Sequence, residues 1–258
     1  MDKAINLYQQ REPFGGPSNG ADHSFVPRKN GDNHGGTLER SPLFSGILPG
    51  DYMSLLSAAR VKEFTRGEKL YIEGDSVQQV LVLTSGFAKI TQLGLSGAEV
   101  ILRFSVPGDV LGAVELFSAG RHCTTAQAFR LCQALVWDAH AFKAVVEHFP
   151  ILNQNMVRIL VRHLLELEER FREVATERVG SRVARQVVRL LETIGRPVNG
   201  AVEIVLSREE LAQMTGTTLF TVSRLLSAWE VRGLVRPRRE AMTVCDVPSL
   251  RAICDEQN

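Results

Sequence analysis

Residues 217–224 read TTLFTVSR, and these are groups suited to recognition rather than to bond-making. Arg224 carries five N–H donors in a fixed fork. It can give a bidentate pair to guanine O6 and N7, which is worth roughly 1–3 kcal/mol of discrimination against another base. Thr218 and Thr221 can bond phosphate oxygens, helped by the positive end of a helix. Ser223 can reach a base edge or a phosphate. Leu219 or Phe220 can cover a thymine methyl group. The competing assignments are a surface ion pair for Arg224 and a core position for Phe220.

These side chains need a helix that offers its first turns to a partner. The segment SREELAQMTGTTLFTVSRLL supplies one as the second half of a helix-turn-helix. Ser207 and Glu210 have capping-box spacing, so the first helix has a defined start, with Arg208 beside it as a further contact to DNA. Ala212 is small where two crossing helices would touch. Gly216 falls in the turn, where a left-handed backbone is needed. Thr217 or Thr218 can cap the second helix, and Val222 and Leu225 return to the shared core. Two short strands are expected next, Leu234–Val235 and Met242–Val244. They form a winged hairpin whose tip carries Arg236, Arg238 and Arg239, with Arg238 and Arg239 placed to meet a phosphate strand. A solvated hairpin is the plainer alternative.

Upstream, the pattern divides the chain. Residues 1–40 are rich in Gly, Pro, Asn, Asp and His without periodicity, and are expected to form a disordered arm. Residues 41–148 alternate in short runs cut by glycine turns, as in an antiparallel sandwich or small barrel. Gly74, Gly86 and Gly108 are expected to take backbone angles that a side chain would oppose. Residues 149–175 form one long helix, in which Met156, Leu160, Leu164, Leu167, Phe171 and Val174 make a narrow seam at near-heptad spacing. The seam outruns what a barrel face could cover, so pairing with a second copy is expected. His163 lies beside it. Residues 176–258 are the winged helix-turn-helix domain. The fold class is therefore α+β: an N-terminal antiparallel β-roll, a long dimerisation helix and a C-terminal winged helix-turn-helix.

Bulk properties agree. Net charge is +1, yet Glu177–Glu240 holds eleven arginines against seven glutamates, with no lysine or aspartate, a local surplus that fits phosphate contact, although charge alone favours a solvated helix face. The opening residues lack the apolar core of a signal peptide, and no apolar run is long enough to span a bilayer, so a cytoplasmic location and no membrane partner are expected. The four cysteines contain no C-x-x-C, which argues for reduced thiols rather than a zinc site. Enzyme classes fare poorly. No H-x-H occurs, as a metal-binding barrel would need, nor a Walker loop, a nucleophile elbow or H-E-x-x-H.

EGD (Glu73–Asp75), SGFAKI (Ser85–Ile90), PGDVLG (Pro107–Gly112) and TVSRLL (Thr221–Leu226), in this order, resemble the Crp/Fnr superfamily of bacterial transcription regulators. The resemblance covers residues 42–250. It implies a homodimer that reads a pseudopalindrome with half-sites about 34 Å apart and that contacts RNA polymerase. It matches Arg224 and Ser223 to base-contacting positions, while Phe220 stands where many members have glutamate. It places an effector pocket at Gly112, Ala113, Glu115, Arg121, Cys123 and Thr124. Members that bind cyclic AMP use a glutamate where Ala113 stands and Arg-Ser where Cys123-Thr124 stand. A cyclic phosphate would lack its paired cation here, so a signal other than cyclic nucleotide is expected; the alternative is a cyclic-nucleotide-dependent activator. An iron–sulfur cluster is not expected, because no cysteine precedes Cys123. The phrase GTTLFTVSRLLSAWE resembles the nitrite and nitric-oxide-reductase regulators, which implies nitric oxide or redox state as signal, with haem as a possible cofactor and His23, His34, His122, His140, His148 and His163 as the available imidazoles.

Overall fold

The computed structural model describes residues 34–255. In chain order the helices and strands are α1 (His34–Arg40), α2 (Tyr52–Ser57), β1 (Arg60–Phe64), β2 (Lys69–Tyr71), β3 (Gln79–Ser85), β4 (Ala88–Leu93), β5 (Glu99–Ser105), β6 (Val110–Leu111), α3 (Ala113–Phe117), β7 (Thr125–Ala128), β8 (Cys132–Asp138), α4 (Ala139–His148), α5 (Ile151–Thr176), α6 (Val179–Ile194), β9 (Arg196–Val198), β10 (Ala201–Ile204), α7 (Arg208–Thr215), α8 (Leu219–Val231), β11 (Val235–Pro237), β12 (Met242–Val244) and α9 (Val247–Asp255). No helix among the described residues is long and apolar enough to cross a membrane.

The first eight strands make two four-stranded antiparallel sheets, ordered β1-β8-β3-β6 and β2-β7-β4-β5. Alternation along β3 shows why they stack. Leu81 and Leu83 point between the sheets, onto Phe64, Ile90, Leu111 and Val136. Val80 and Val82 point the other way, into a core shared by Trp137 of β8 with Phe44, Leu55, Phe142, Leu152 and Met156 of the helical layer. Trp137 is fully buried and donates its indole N–H to the Leu55 carbonyl at 3.0 Å, so its polar edge is satisfied. The expected left-handed turns occur at Gly74, Gly86 and Gly108.

Three sequence expectations need correction here. The expected disordered arm stops short of residue 40, because 34–40 is helical and Leu38 is fully buried in the helical-layer core; the rest of that arm lies outside the described residues. Met156 does not belong to the exposed seam of α5. It is buried in the same core, on the side where Asn155 donates to the carbonyls of Leu43 and Ser45, both at 2.8 Å. His163 also faces inward, lining a crevice with Pro42, Asp109, Val110, Ile159 and Arg162.

A third core belongs to the C-terminal domain, where Val183, Val187, Leu190, Leu211, Val222, Leu226, Trp229, Val235 and Leu250 pack together. Phe104 of β5 is part of this core although it comes from the other domain. Its ring lies 4.8 Å from that of Phe129, and Phe87 and Phe129 pack at the same margin. The joint between α5 and α6 is electrostatic. Buried Glu173 pairs with Arg189 through two hydrogen bonds and lies 3.7 Å from Arg185. Arg170 donates to the Leu102 carbonyl of β5, so one turn of α5 is tied to the sheet and the next to the C-terminal domain.

Candidate nucleic-acid interface and sensor site

The helix-turn-helix is specified locally at both ends of its turn. Ser207 Oγ accepts from the Glu210 N–H at 3.1 Å, and Glu210 accepts from the Ser207 N–H at 2.9 Å, closing the capping box. Gly216 ends α7 in the left-handed region at φ 59°, where a β-carbon would add strain. Thr218 then caps α8 by accepting from the Thr221 N–H at 3.2 Å, and the two hydroxyls lie 3.0 Å apart. Such a cap is worth about 1 kcal/mol, and it leaves the Thr221 hydroxyl at the helix mouth, able to turn outward. Arg182, nearly buried, donates to the Thr215 carbonyl at 2.8 Å and clamps the end of α7 to α6.

What α8 keeps for its core is Val222, Leu226 and Trp229, all buried. What it presents outward is Arg224, exposed and without an ion pair among the described residues, with Ser223 and Thr221 half-buried beside it. Leu219 and Phe220 are 51% and 76% exposed, so the core position considered for Phe220 is not the one it takes. An exposed phenylalanine at the leading end of a capped helix has no intramolecular work to do, and fits an apolar contact with a partner. Arg208 is half-buried in the first turn of α7, its Nε enclosed and without a hydrogen-bond partner among the described residues. In the wing, Arg238 lies 3.5 Å from Glu203, and Arg239 is exposed at the tip. The wing strands are Val235–Pro237 and Met242–Val244, so the first begins one residue later than the sequence pattern suggested.

The residues grouped as an effector pocket come together around α3 and β7. Gly112 takes φ 84°, and a β-carbon there would lie 2.9 Å from the Gln79 carbonyl oxygen and 3.3 Å from the His122 ring. Ala113 is buried, Glu115 is half-buried, and Cys123 is exposed. Arg121 turns away to the Gly74 carbonyl at 2.8 Å, so it does not take the place of the missing phosphate-binding arginine. Thr124 meets the Tyr71 hydroxyl at 3.4 Å. Sequence reasoning missed the centre of this cluster: Tyr71 and His122 stack with centroids 3.8 Å apart and planes 8° from parallel. Burial, with Glu115 nearby, pushes the Tyr71 phenol up to about 12, and burial lowers the His122 imidazole against the opposing pull of Asp75.

Among the described residues the imidazoles do not fit a haem. His122 lies flat on Tyr71, His163 sits by Arg103 and Arg162, and His140 and His148 are on the exposed face of α4. His23 and the side chain of His34 lie outside the described residues. Burial and those two guanidiniums lower the His163 imidazole from 6.5 to about 4. The unfolded chain therefore binds its proton first as pH falls. Folding stability is expected to drop as pH goes from about 6.5 towards 4, and His163→Gln is expected to flatten part of that slope in denaturant titrations. All four cysteines are free thiols, and burial raises Cys132 to about 11, which makes it unreactive.

Comparison with known proteins agrees with this geometry. A cyclic nucleotide-binding domain model matches residues 61–149, and a Crp-like helix-turn-helix domain model matches residues 181–253. The chain is 26% identical to the CRP-like cAMP-activated global transcriptional regulator of Mycobacterium tuberculosis, over 81% of this chain and 94% of that one. It is 27% identical to the cyclic AMP receptor protein of Thermus thermophilus, over 77% and 90%. Its fold resembles that of the c-di-GMP responsive global regulator CLP of Xanthomonas campestris, with TM-score 0.67, 17% identity, and 76% and 99% of the two chains covered. It also resembles FixK2 of Bradyrhizobium japonicum, with TM-score 0.65, 20% identity, and 76% and 96% covered. A β-roll, a long helix and a winged helix-turn-helix follow one another, each domain model matches in its place, and a cyclic nucleotide-binding-type domain followed by a Crp-like helix-turn-helix is the arrangement of a Crp/Fnr-type DNA-binding transcription regulator.

Proposed function

We propose that the protein works as a homodimer, reads a two-fold-related DNA site through Arg224 on each α8, and answers to a signal other than a cyclic nucleotide. The observation that carries the DNA reading is the exposed guanidinium of Arg224, without an ion pair among the described residues, one turn behind a threonine-capped helix end. Dimerisation is supported by the outer face of α5. Leu160, Leu164, Leu167, Phe171 and Val174 are each half exposed or more, and Val157, at 59%, rather than the buried Met156, continues this face. An apolar stripe at 3-4 spacing is the pattern by which two helices pair.

Arg224→Ala is expected to relax preference at one guanine in each half-site by about 1–3 kcal/mol, leaving the other positions near their original ranking. Competition binding with singly substituted duplexes checks this, and undiminished discrimination at every guanine contradicts the assignment.

The non-nucleotide signal is supported by Ala113, Cys123 and Thr124 at the expected ligand positions and by the Tyr71–His122 stack. The names of the two bacterial relatives favour the cyclic-AMP reading instead. Cyclic AMP added to the purified protein is expected to leave operator affinity unchanged, and a saturable increase would establish the competing reading. The likeness of α8 to nitric-oxide-linked regulators makes nitric oxide the first signal to try, by measuring operator affinity anaerobically with and without it.

A further inference from the structure

The stripe that α5 turns towards the β-roll changes character halfway along. Leu152, Met156 and Ile159 are buried in the helical-layer core. The next positions of the same face hold Arg162 and His163, then Glu166 and Arg170, all half-buried. A helix lying on a sheet ordinarily continues its apolar stripe there. Instead Ile159, Arg162 and His163 line one side of a crevice, with Pro42, Asp109 and Val110 on the other. The crevice measures about 190 Å³ with its open mouth included, and it shares no residue with the group around α3 and β7.

Its charges are unevenly matched. Asp109 is already engaged: it accepts from the Val106 N–H at 3.1 Å and lies 3.8 Å from Arg103 of β5. Arg103 also donates at 2.7 Å to the hydroxyl of Ser105, a fully buried residue. Glu166 answers Arg170 further along the helix. Arg162 has no ion pair among the described residues. Arg103 and Arg162 both reach His163, and with burial they lower its imidazole. One wall is therefore cationic with a guanidinium to spare, and the rest is apolar.

A planar carboxylate meets a guanidinium fork with two parallel hydrogen bonds. A short hydrocarbon body on that carboxylate would cover Pro42, Val110 and Ile159, which a bare inorganic anion would leave against water. The volume is below the roughly 300–1,000 Å³ of a pocket for a drug-sized ligand, so the body must be small.

We propose that this crevice binds a compact carboxylate, its head on Arg162 with Arg103 behind it, and that this is the class of signal the protein answers to. The proposal rests on the non-nucleotide reading above. It has a route to DNA, because α5 carries the crevice on one face and the pairing seam on the other. A ligand bridging Arg162 to Arg103 of β5 bears on the helix that spaces the two α8 heads.

The test uses the full chain, with labelled histidine imidazoles followed by NMR at neutral pH and constant ionic strength. His163 is assigned by its absence from His163→Gln. Butanoate is expected to move the His163 resonance saturably, in the millimolar range proper to so small a ligand. It is expected to change affinity for an operator selected from a random duplex pool by about fivefold or more. Chloride and inorganic phosphate should do neither. Arg162→Gln, a change on a half-exposed helix position, should weaken butanoate binding roughly tenfold, and Arg162→Lys should recover part of the loss. No saturable movement, an equal response to chloride, or undiminished binding by Arg162→Gln overturns the site. Saturable binding with operator affinity unmoved overturns its role as the signal. Failure of the non-nucleotide reading looks different: cyclic AMP would then raise operator affinity in the parent and in Arg162→Gln alike.

Discussion

A chain carrying Leu164→Asp and Leu167→Asp is expected to sediment as a monomer and to bind its operator about 10²–10⁴-fold more weakly. The size follows from losing the second binding event. Two reading heads on one dimer engage the second half-site at the high local concentration set by the first, and a monomer forfeits that gain without losing a single contact to bases. The variant isolates the effect because both leucines are about half exposed on the outer face of α5, opposite Leu152, Met156 and Ile159, which pack on the β-roll. Its thermal midpoint as a monomer should therefore stay measurable. Dimers that survive the double substitution in sedimentation remove the paired-helix account.

The second large effect is expected at the joint between α5 and α6. Arg189→Leu leaves Glu173, only 2% exposed, with Arg185 at 3.7 Å as its remaining partner. Stranding one half of a buried pair costs about 3–5 kcal/mol, and the residual partner argues for the lower end. That corresponds to a fall of roughly 6–12 °C in Tm for a chain of this size. Glu173→Leu combined with Arg189→Leu should recover most of the loss, because two apolar groups of similar length leave no buried charge behind. Thermal melts of the single and double variants decide it, and a single variant as stable as the parent contradicts the account. A residual loss of operator affinity in the recovered double variant would locate coupling, as well as stability, in this joint.

The reading helix was the most legible part of the chain because its chemistry is local. Ser207 with Glu210, Gly216, and Thr218 with Thr221 each act within four residues, and all fall where their spacing placed them. The β-roll was legible as alternation, since Val80 and Val82 face one layer and Leu81 and Leu83 the other. What escaped depends on distant partners. A run such as LCQALVW does not tell which helix covers Trp137, and nothing in HGGTLER announces that Leu38 will be buried. Met156 and Val157 are adjacent apolar residues of similar size. Only the position of the β-roll decides that Met156 turns in and Val157 out. Nothing in its own sequence separates Glu173 from the other charges of α5; only the fold brings Arg185 and Arg189 of α6 against it. Tyr71 and His122 are 51 residues apart, and neither carries a motif. Phe104 sits on an ordinary alternating strand, with no sign in its neighbourhood that it completes the core of the other domain.

The most direct measurement is selection of bound duplexes from a randomised pool, carried out in parallel with the parent chain and with Arg224→Ala. The parent is expected to enrich two inverted half-sites about 10–10.5 bp apart, each with a guanine that the variant no longer requires. A single unsymmetrical motif, or a guanine equally enriched by both proteins, would contradict two-fold reading through Arg224.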